Sequence, residues 1–247
     1  MSALKCRDFA AETEKRAEFI RGFLKSSGAE GIVFGNSGGK DSALVGILSK
    51  LACADTVGIF MPSSQRLSGS DFEDAKSLSE KFGIELRTVD ITAAKGSILH
   101  CATQGCKVSE NAERNIAPRV RMTVLYTIAA SENRIVAGTS NFSERHMGYF
   151  TKWGDGACDF NPIADLTATE VFQFLKHLNA PENIIKKPPS AGLFEGQTDE
   201  SDMGVTYESI DKFLLTGECP PSDMEIIERY HRTTEHKRNP FSGYYGG

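Results

Sequence analysis

Short apolar runs alternate with amphipathic stretches along the first two thirds of the chain. "GIVFG" (31–35) is continuous, β-branched and too short for a helix, as a strand buried on both faces of a parallel sheet should be. Leu44, Ile47, Leu48 and Leu51 follow at the spacing of one helical face. "TVGIFMP" (56–62) predicts a second strand, and a polar loop then leads to a helix over 71–82. "ELRTVDI" (85–91) predicts a third strand and "RIVAGTS" (134–140) a fourth. Between them a long helix is expected over 109–131, striped by Met122, Leu125, Tyr126 and Ala129. Pro118 lacks a backbone donor, so a kink or a true start is expected near it.

The flanks carry weaker patterns. An N-terminal helix is expected within 1–27, over 5–26, with Ala17, Ile20 and Leu24 on its apolar face. Thr167 with Glu170 three residues on predicts a capping box, and Val171, Phe174, Leu175 and Leu178 form the stripe behind it. The stretch 186–206 is rich in proline, glycine and acids and reads as a mobile loop. Residues 231–247 read as a polar tail without periodicity. Alternating strands and helices place the chain in the α/β class. The expected architecture is a Rossmann-like, doubly wound parallel sheet with helices on both faces, one domain spanning 1–247. Ligands of such a sheet bind at the carboxyl ends of the strands.

Composition narrows the chemistry only a little. A chain of 247 residues, 40% hydrophobic and 25% charged, is long enough to bury a substantial core. Its net charge of −5 argues against a nucleic-acid partner but leaves room for a local anion pocket. The N-terminus lacks the apolar core of a signal peptide, and no run approaches the roughly 20 apolar residues of a membrane span. Six scattered cysteines read as reduced thiols, so the expected location is cytoplasmic. His100, Cys101 and Cys106 lack the second cysteine pair that a zinc site needs.

Candidate chemistry concentrates in "GNSGGKDS": Gly35, Asn36, Ser37, Gly38, Gly39, Lys40, Asp41 and Ser42. Phe34 stands where a Walker A loop needs glycine, and Asp41 rather than Ser or Thr follows Lys40. The dinucleotide fingerprint is absent too. What remains is a glycine-rich turn opening a helix, whose free N–H groups and positive end suit a phosphate. A carboxylate there would repel the anion unless Asp41 holds Mg²⁺. The plainer alternative is a glycine turn with Asp41 as an ordinary acid of the first helical turn.

Ser-Gly-Gly-x-Asp-Ser resembles the pyrophosphate loop of the ATP pyrophosphatases. Four further segments, "NIAPRVRMTVLY" (115–126), "VAGTSNFSERHMGYFTKWGDGACDFNPIADL" (136–166), "KKPPSAGLFEGQTDE" (186–200) and "TEHKRNP" (234–240), resemble ammonia-dependent NAD synthetase. The resemblance covers about residues 30–240. It implies that deamido-NAD, ATP and ammonia give NAD, AMP and pyrophosphate through an adenylated carboxylate. It also implies Mg²⁺ on Asp41 and Glu144, and ATP contacts from residues 35–42, Thr139 and Ser190. Deamido-NAD contacts are implied for Arg119, Lys152, Asp159, His236 and Lys237. Asp159, Glu195 or Asp199 is a candidate base toward ammonium. The family usually carries lysine where this chain has Ala168, and Lys40 is expected to compensate. A homodimer is implied, with nitrogen from free ammonia or a separate amidotransferase. The competing readings are another ATP pyrophosphatase, such as a tRNA thiolase, and a non-catalytic adenine-nucleotide sensor.

Overall fold

The structure, a computed structural model, describes residues 7–63, 69–187 and 199–239. Helix α1 (Phe9–Ser27) leads into strand β1 (Gly31–Gly35), helix α2 (Lys40–Ala52) and strand β2 (Thr56–Phe60). Helix α3 (Gly69–Phe82) and strand β3 (Glu85–Thr88) follow. Three helices then precede strand β4 (Arg134–Ala137): α4 (Thr92–Gly105), α5 (Glu110–Arg114) and α6 (Ile116–Ser131). After the sheet come α7 (Phe142–Met147), α8 (Ala168–His177) and α9 (Glu182–Lys186). The C-terminal part holds α10 (Asp199–Met203), α11 (Tyr207–Thr216), α12 (Pro221–Thr233) and α13 (Glu235–Arg238).

The four strands form one parallel sheet in the order β3-β2-β1-β4, with Val33 beside Val57 on one side and Val136 on the other. Alternation splits the strand side chains between two faces. Ile32 and Phe34 pack with Ala43, Leu44 and Leu48 of α2 and Phe174 of α8, whereas Val33 joins Ala117 and Val120 of α6. Helices thus cover both faces, as expected of a doubly wound sheet. The Phe34 ring fills its layer so closely that a Cβ on Gly46 of α2 would lie 2.5 Å from it. A third cluster, with Met147, Met203, Tyr207, Ile210 and Ile227, gathers the C-terminal helices beside α7.

The chain leaves β1 toward β2 and β3 on one side and returns to β4 on the other. The turns after β1 and β4 therefore part at a switch point, and a crevice opens at their carboxyl ends.

Several expected boundaries change. α1 begins at Phe9 because Asp8 caps it, accepting from the N–H groups of Ala10 and Ala11. β2, β3 and β4 stop at Phe60, Thr88 and Ala137, short of the expected ends. The expected helix over 109–131 is two helices separated at Asn115. Pro118 lies in the first turn of α6, where its missing donor has no intrahelical partner to lose. α4 lies in a stretch for which no element was expected. The 186–206 segment is not loop at its edges: Lys186 ends α9, and residues 199–203 form α10. The tail expected from 231 begins instead as the last turn of α12, followed by the single turn of α13.

Candidate active site

The turn after β1 is shaped by two residues that hold it open. Asn36 is almost fully buried, and its side-chain amide donates to Ala75 O (3.2 Å) and Ser79 Oγ (3.4 Å) on α3. Its Oδ1 accepts from the N–H of Gly38 (3.3 Å). Gly38 has φ +75°, and a Cβ there would lie 2.4 Å from Asp71 O, so only glycine fits this bend. Ser37 Oγ accepts from Gly39 N–H (3.2 Å) and lies 3.1 Å from Ser42 Oγ. The turn is braced from outside as well. Lys187 pairs with Asp71 (2.5 Å) and Asp74 (2.6 Å), and Asn183 donates to Asp74 (2.5 Å). The chain entering 188–198 is thereby fastened to the helix behind the phosphate turn.

Gly39 caps α2 in extended conformation, and Lys40 and Asp41 are the first two helical residues. Across the switch point, Asn141 caps α7 with a complete capping box: its Oδ1 accepts from Glu144 N–H (3.0 Å), and Glu144 Oε2 accepts from Asn141 N–H (3.2 Å). The side-chain amide of the same Asn141 donates to Asp41 Oδ1 (3.0 Å). One wholly buried asparagine therefore aligns both carboxylates, one from each strand end.

The remaining oxygens face a common cation. Lys40 Nζ pairs with Asp41 Oδ2 and lies 3.8 Å from Glu144 Oε1. The aromatic rings of Phe172 (5.8 Å) and Tyr207 (5.5 Å) flank the ammonium. Burial would weaken its protonation, but Asp41 and then Glu144 outweigh that effect and raise the Lys40 pKa above its ordinary value. Burial, reinforced by the charge of Asp41, pushes the Glu144 carboxyl well above the usual range against the pull of Lys40. Asp199 adds negative charge to the same neighbourhood and accepts from Tyr207 Oη (3.0 Å). Burial and these carboxylates raise the Tyr207 pKa, so its hydroxyl remains a donor.

Two carboxylates, each accepting one hydrogen bond from Asn141 and turning its other oxygen toward Lys40, suit a hard divalent cation. Among the described residues no group of three or more His, Cys, Asp or Glu stands ready to hold a metal. An ion on Asp41 and Glu144 would complete its shell with water and phosphate oxygens, the usual manner of Mg²⁺ at nucleotide sites.

The expected substrate residues divide differently. Thr139 lies two residues past the end of β4, half-buried at the crevice. Arg119 on α6 donates to the carbonyl of Lys152 (3.3 Å), so the structure brings these two together, and Lys152 Nζ lies 5.7 Å from the Trp153 ring. Lys237 donates to the carbonyls of Gly148 and Phe150 (both 2.8 Å), holding the 148–156 loop against α13, while His236 is exposed. Asp159 accepts from Val136 N–H (2.7 Å) and Tyr126 Oη (3.2 Å), which engages both its oxygens. Ser190 and Glu195 lie outside the described residues. Ala168 is buried at the first position of α8, and its N–H donates to Ser143 Oγ (3.1 Å).

Sequence reading missed Asn141 and Tyr207. Asn141 was findable, since Asn-x-x-Glu is a capping-box signature.

The sequence profile of NAD synthase matches residues 12–240. The NH(3)-dependent NAD(+) synthetase of Carboxydothermus hydrogenoformans is 43% identical over 231 residues, covering 92% of this chain and 94% of the relative. Among solved structures, an NMN synthetase from Francisella tularensis superposes with a TM-score of 0.89 at 37% identity, covering 97% of this chain and 99% of its own. An NH3-dependent NAD synthetase from Campylobacter jejuni, in complex with the nitrate ion, gives 0.80 at 31% identity, covering 98% and 100%.

Proposed function

The chain belongs to the NAD synthase family, and we propose that its switch-point crevice is where deamido-NAD is adenylated by ATP and then amidated by ammonia. The observation that carries the reading is the convergence of Asp41 and Glu144, aligned by Asn141, beside a phosphate-shaped turn. It also speaks against a nucleotide sensor, which needs the turn but not the paired carboxylates. A thiolase has no support in the relatives.

A carboxylate is a poor acyl donor until one of its oxygens becomes a leaving group. In the proposed reaction the nicotinate carboxylate attacks the α-phosphorus of ATP and pyrophosphate departs. Ammonia then attacks the activated carbonyl carbon, AMP leaves, and the nitrogen loses one proton to give the amide. No protein nucleophile is needed, so the protein works by positioning and charge stabilisation.

Asp41 and Glu144 would hold Mg²⁺, which neutralises charge on the departing pyrophosphate. The N–H groups of the first turn of α2 and the hydroxyls of Ser37 and Ser42 would receive the outer phosphates. Arg119 and Lys152, already joined at the mouth of the 148–156 loop, would meet the dinucleotide. Lys237 would act through that loop by holding two of its carbonyls, and His236 remains available to the substrate directly. For the proton leaving ammonium we favour Asp199, whose charge acts on the Asp41–Glu144 centre.

We further propose a homodimer. α4 contains no buried residue, and its Ile98 is 47% exposed, so this helix offers an apolar surface to a second copy. No helix among the described residues is long and apolar enough to cross a membrane, and the cytoplasm is the proposed location.

The Francisella tularensis structure favours a second acceptor: the same amidation performed on a mononucleotide, giving NMN. Purified protein with ATP, Mg²⁺ and ammonium is therefore to be offered deamido-NAD and nicotinate mononucleotide in parallel. AMP formed in step with NAD supports the first acceptor, and AMP formed in step with NMN selects the second. AMP with neither product, or binding without turnover, would end the amidation reading.

A further inference from the structure

Lys40 does not reach outward from the phosphate turn. Its side chain turns inward and is 6% exposed. Its ammonium pairs with Asp41 Oδ2, approaches Glu144 Oε1 at 3.8 Å, and is flanked by Phe172 and Tyr207. Those are the same two oxygens that a divalent ion on this carboxylate pair would take, because Asn141 already occupies the other two. On these two oxygens the ammonium and the ion would lie side by side. A divalent cation within a few ångströms of a buried ammonium meets strong like-charge repulsion in a medium that screens poorly.

We propose that Lys40 is a resident counter-cation of the Asp41–Glu144 pair, and that metal enters only by displacing it, which makes metal binding dependent on nucleotide. The inference rests on the reading of Asp41 and Glu144 as metal ligands. Without nucleotide, one ammonium offsets part of the negative charge of Asp41, Glu144 and Asp199. A metal arriving alone must expel it from a buried pocket walled by Phe172 and Tyr207 into no waiting partner. A nucleotide changes this balance, since its phosphates coordinate the entering ion and give the released ammonium an anion to face. Lys40 thereby keeps the centre closed to free divalent cations and becomes a phosphate ligand once the exchange has occurred. A neutral residue at 40 would leave the carboxylates facing one another, open to any divalent ion.

Mn²⁺ serves as the probe, followed by electron paramagnetic resonance of the free ion, with melting temperature as a second readout. In the wild-type protein without nucleotide, Mn²⁺ binds at least about tenfold more weakly than in Lys40→Met. Addition of a non-hydrolysable ATP analogue tightens wild-type binding by a larger factor than it tightens the variant. Lys40→Met also melts lower than wild type in chelator and recovers with Mg²⁺, whereas the wild-type melting temperature is unmoved by Mg²⁺ alone. Tight Mn²⁺ binding by nucleotide-free wild type overturns the proposal even if Lys40→Met fails to fold. So does equal Mn²⁺ affinity in the two proteins. Mn²⁺ binding with the nucleotide analogue that survives both Asp41→Asn and Glu144→Gln instead overturns the metal-ligand reading beneath it.

Discussion

Asn141 does more at the centre than any single charged residue beside it. Its backbone N–H holds Glu144, its side-chain carbonyl caps α7, and its amide holds Asp41. Groups that orient metal-binding carboxylates typically matter 10–100-fold to metal affinity. Asn141→Ala is therefore expected to weaken nucleotide-supported Mn²⁺ binding by about tenfold or more, with the fold intact by circular dichroism. Unchanged binding would reduce Asn141 to a helix cap. Asp41 and Glu144 were named together from the resemblance, and the structure brings both carboxylates to the Lys40 ammonium. Orientation was not legible. Lys40 was expected at the phosphates and turns to the carboxylates, because the cost of a buried cation is met only by the nearest anions. Lys237 was expected on substrate and holds two loop carbonyls. A sequence states a charge without its direction.

Elements with strong local signals came through nearly intact. β1, α2 and the capped start of α8 follow apolar runs and caps that tertiary contacts reinforce. Both halves of the predicted box are present, Thr167 Oγ1 accepting from Glu170 N–H (3.3 Å) and Glu170 Oε2 from Thr167 N–H (2.9 Å). Thr167→Ala should cost about 1 kcal/mol in urea unfolding. A loss below about 0.3 kcal/mol would show that packing alone fixes the start of α8. The unread elements failed for different reasons. α4 has no fully buried residue and sends Leu99 alone, partly buried, against the core, so no core stripe marks it. α11 had a readable signal, with Thr206 capping its start and Gly217 in left-handed conformation at its end. At the break, Thr151 Oγ1 donates to Asn115 Oδ1 (2.6 Å) across 36 residues, a contact that local sequence cannot encode.

At the scale of the whole molecule, contacts far apart in sequence tie the N-terminal helix to the chain before α8. Arg16 of α1 holds both oxygens of Asp165 (2.7 and 3.0 Å), and Arg7 adds a bond to Asp165 Oδ2 (3.0 Å). Burial raises the Asp165 pKa, but hydrogen bonding and charge from Arg16, with Arg7, outweigh it and hold the carboxyl below its usual range. A depressed folded-state pKa contributes stability above the unfolded value of about 3.9, and that stability is lost as pH falls through the folded value. Asp165→Asn should lower the urea midpoint at pH 7 and flatten its decline below about pH 4. Parallel curves for the two proteins would show that the pair contributes nothing measurable. At the same scale, Ile98→Glu should convert a dimer to monomer by light scattering without lowering the melting temperature of the monomeric fold. Persistence of the dimer would move the interface away from α4.

If Asp41 and Glu144, in the helices that follow β1 and β4, form the centre where ATP is split, the adenylating half of the reaction depends on both. Exchange of labelled pyrophosphate into ATP, run without ammonia, isolates that step from amide formation. We expect exchange in the wild-type protein that requires the nicotinate acceptor, and a loss of about 100-fold or more in both Asp41→Asn and Glu144→Gln. Exchange at wild-type rate in either variant would contradict the account.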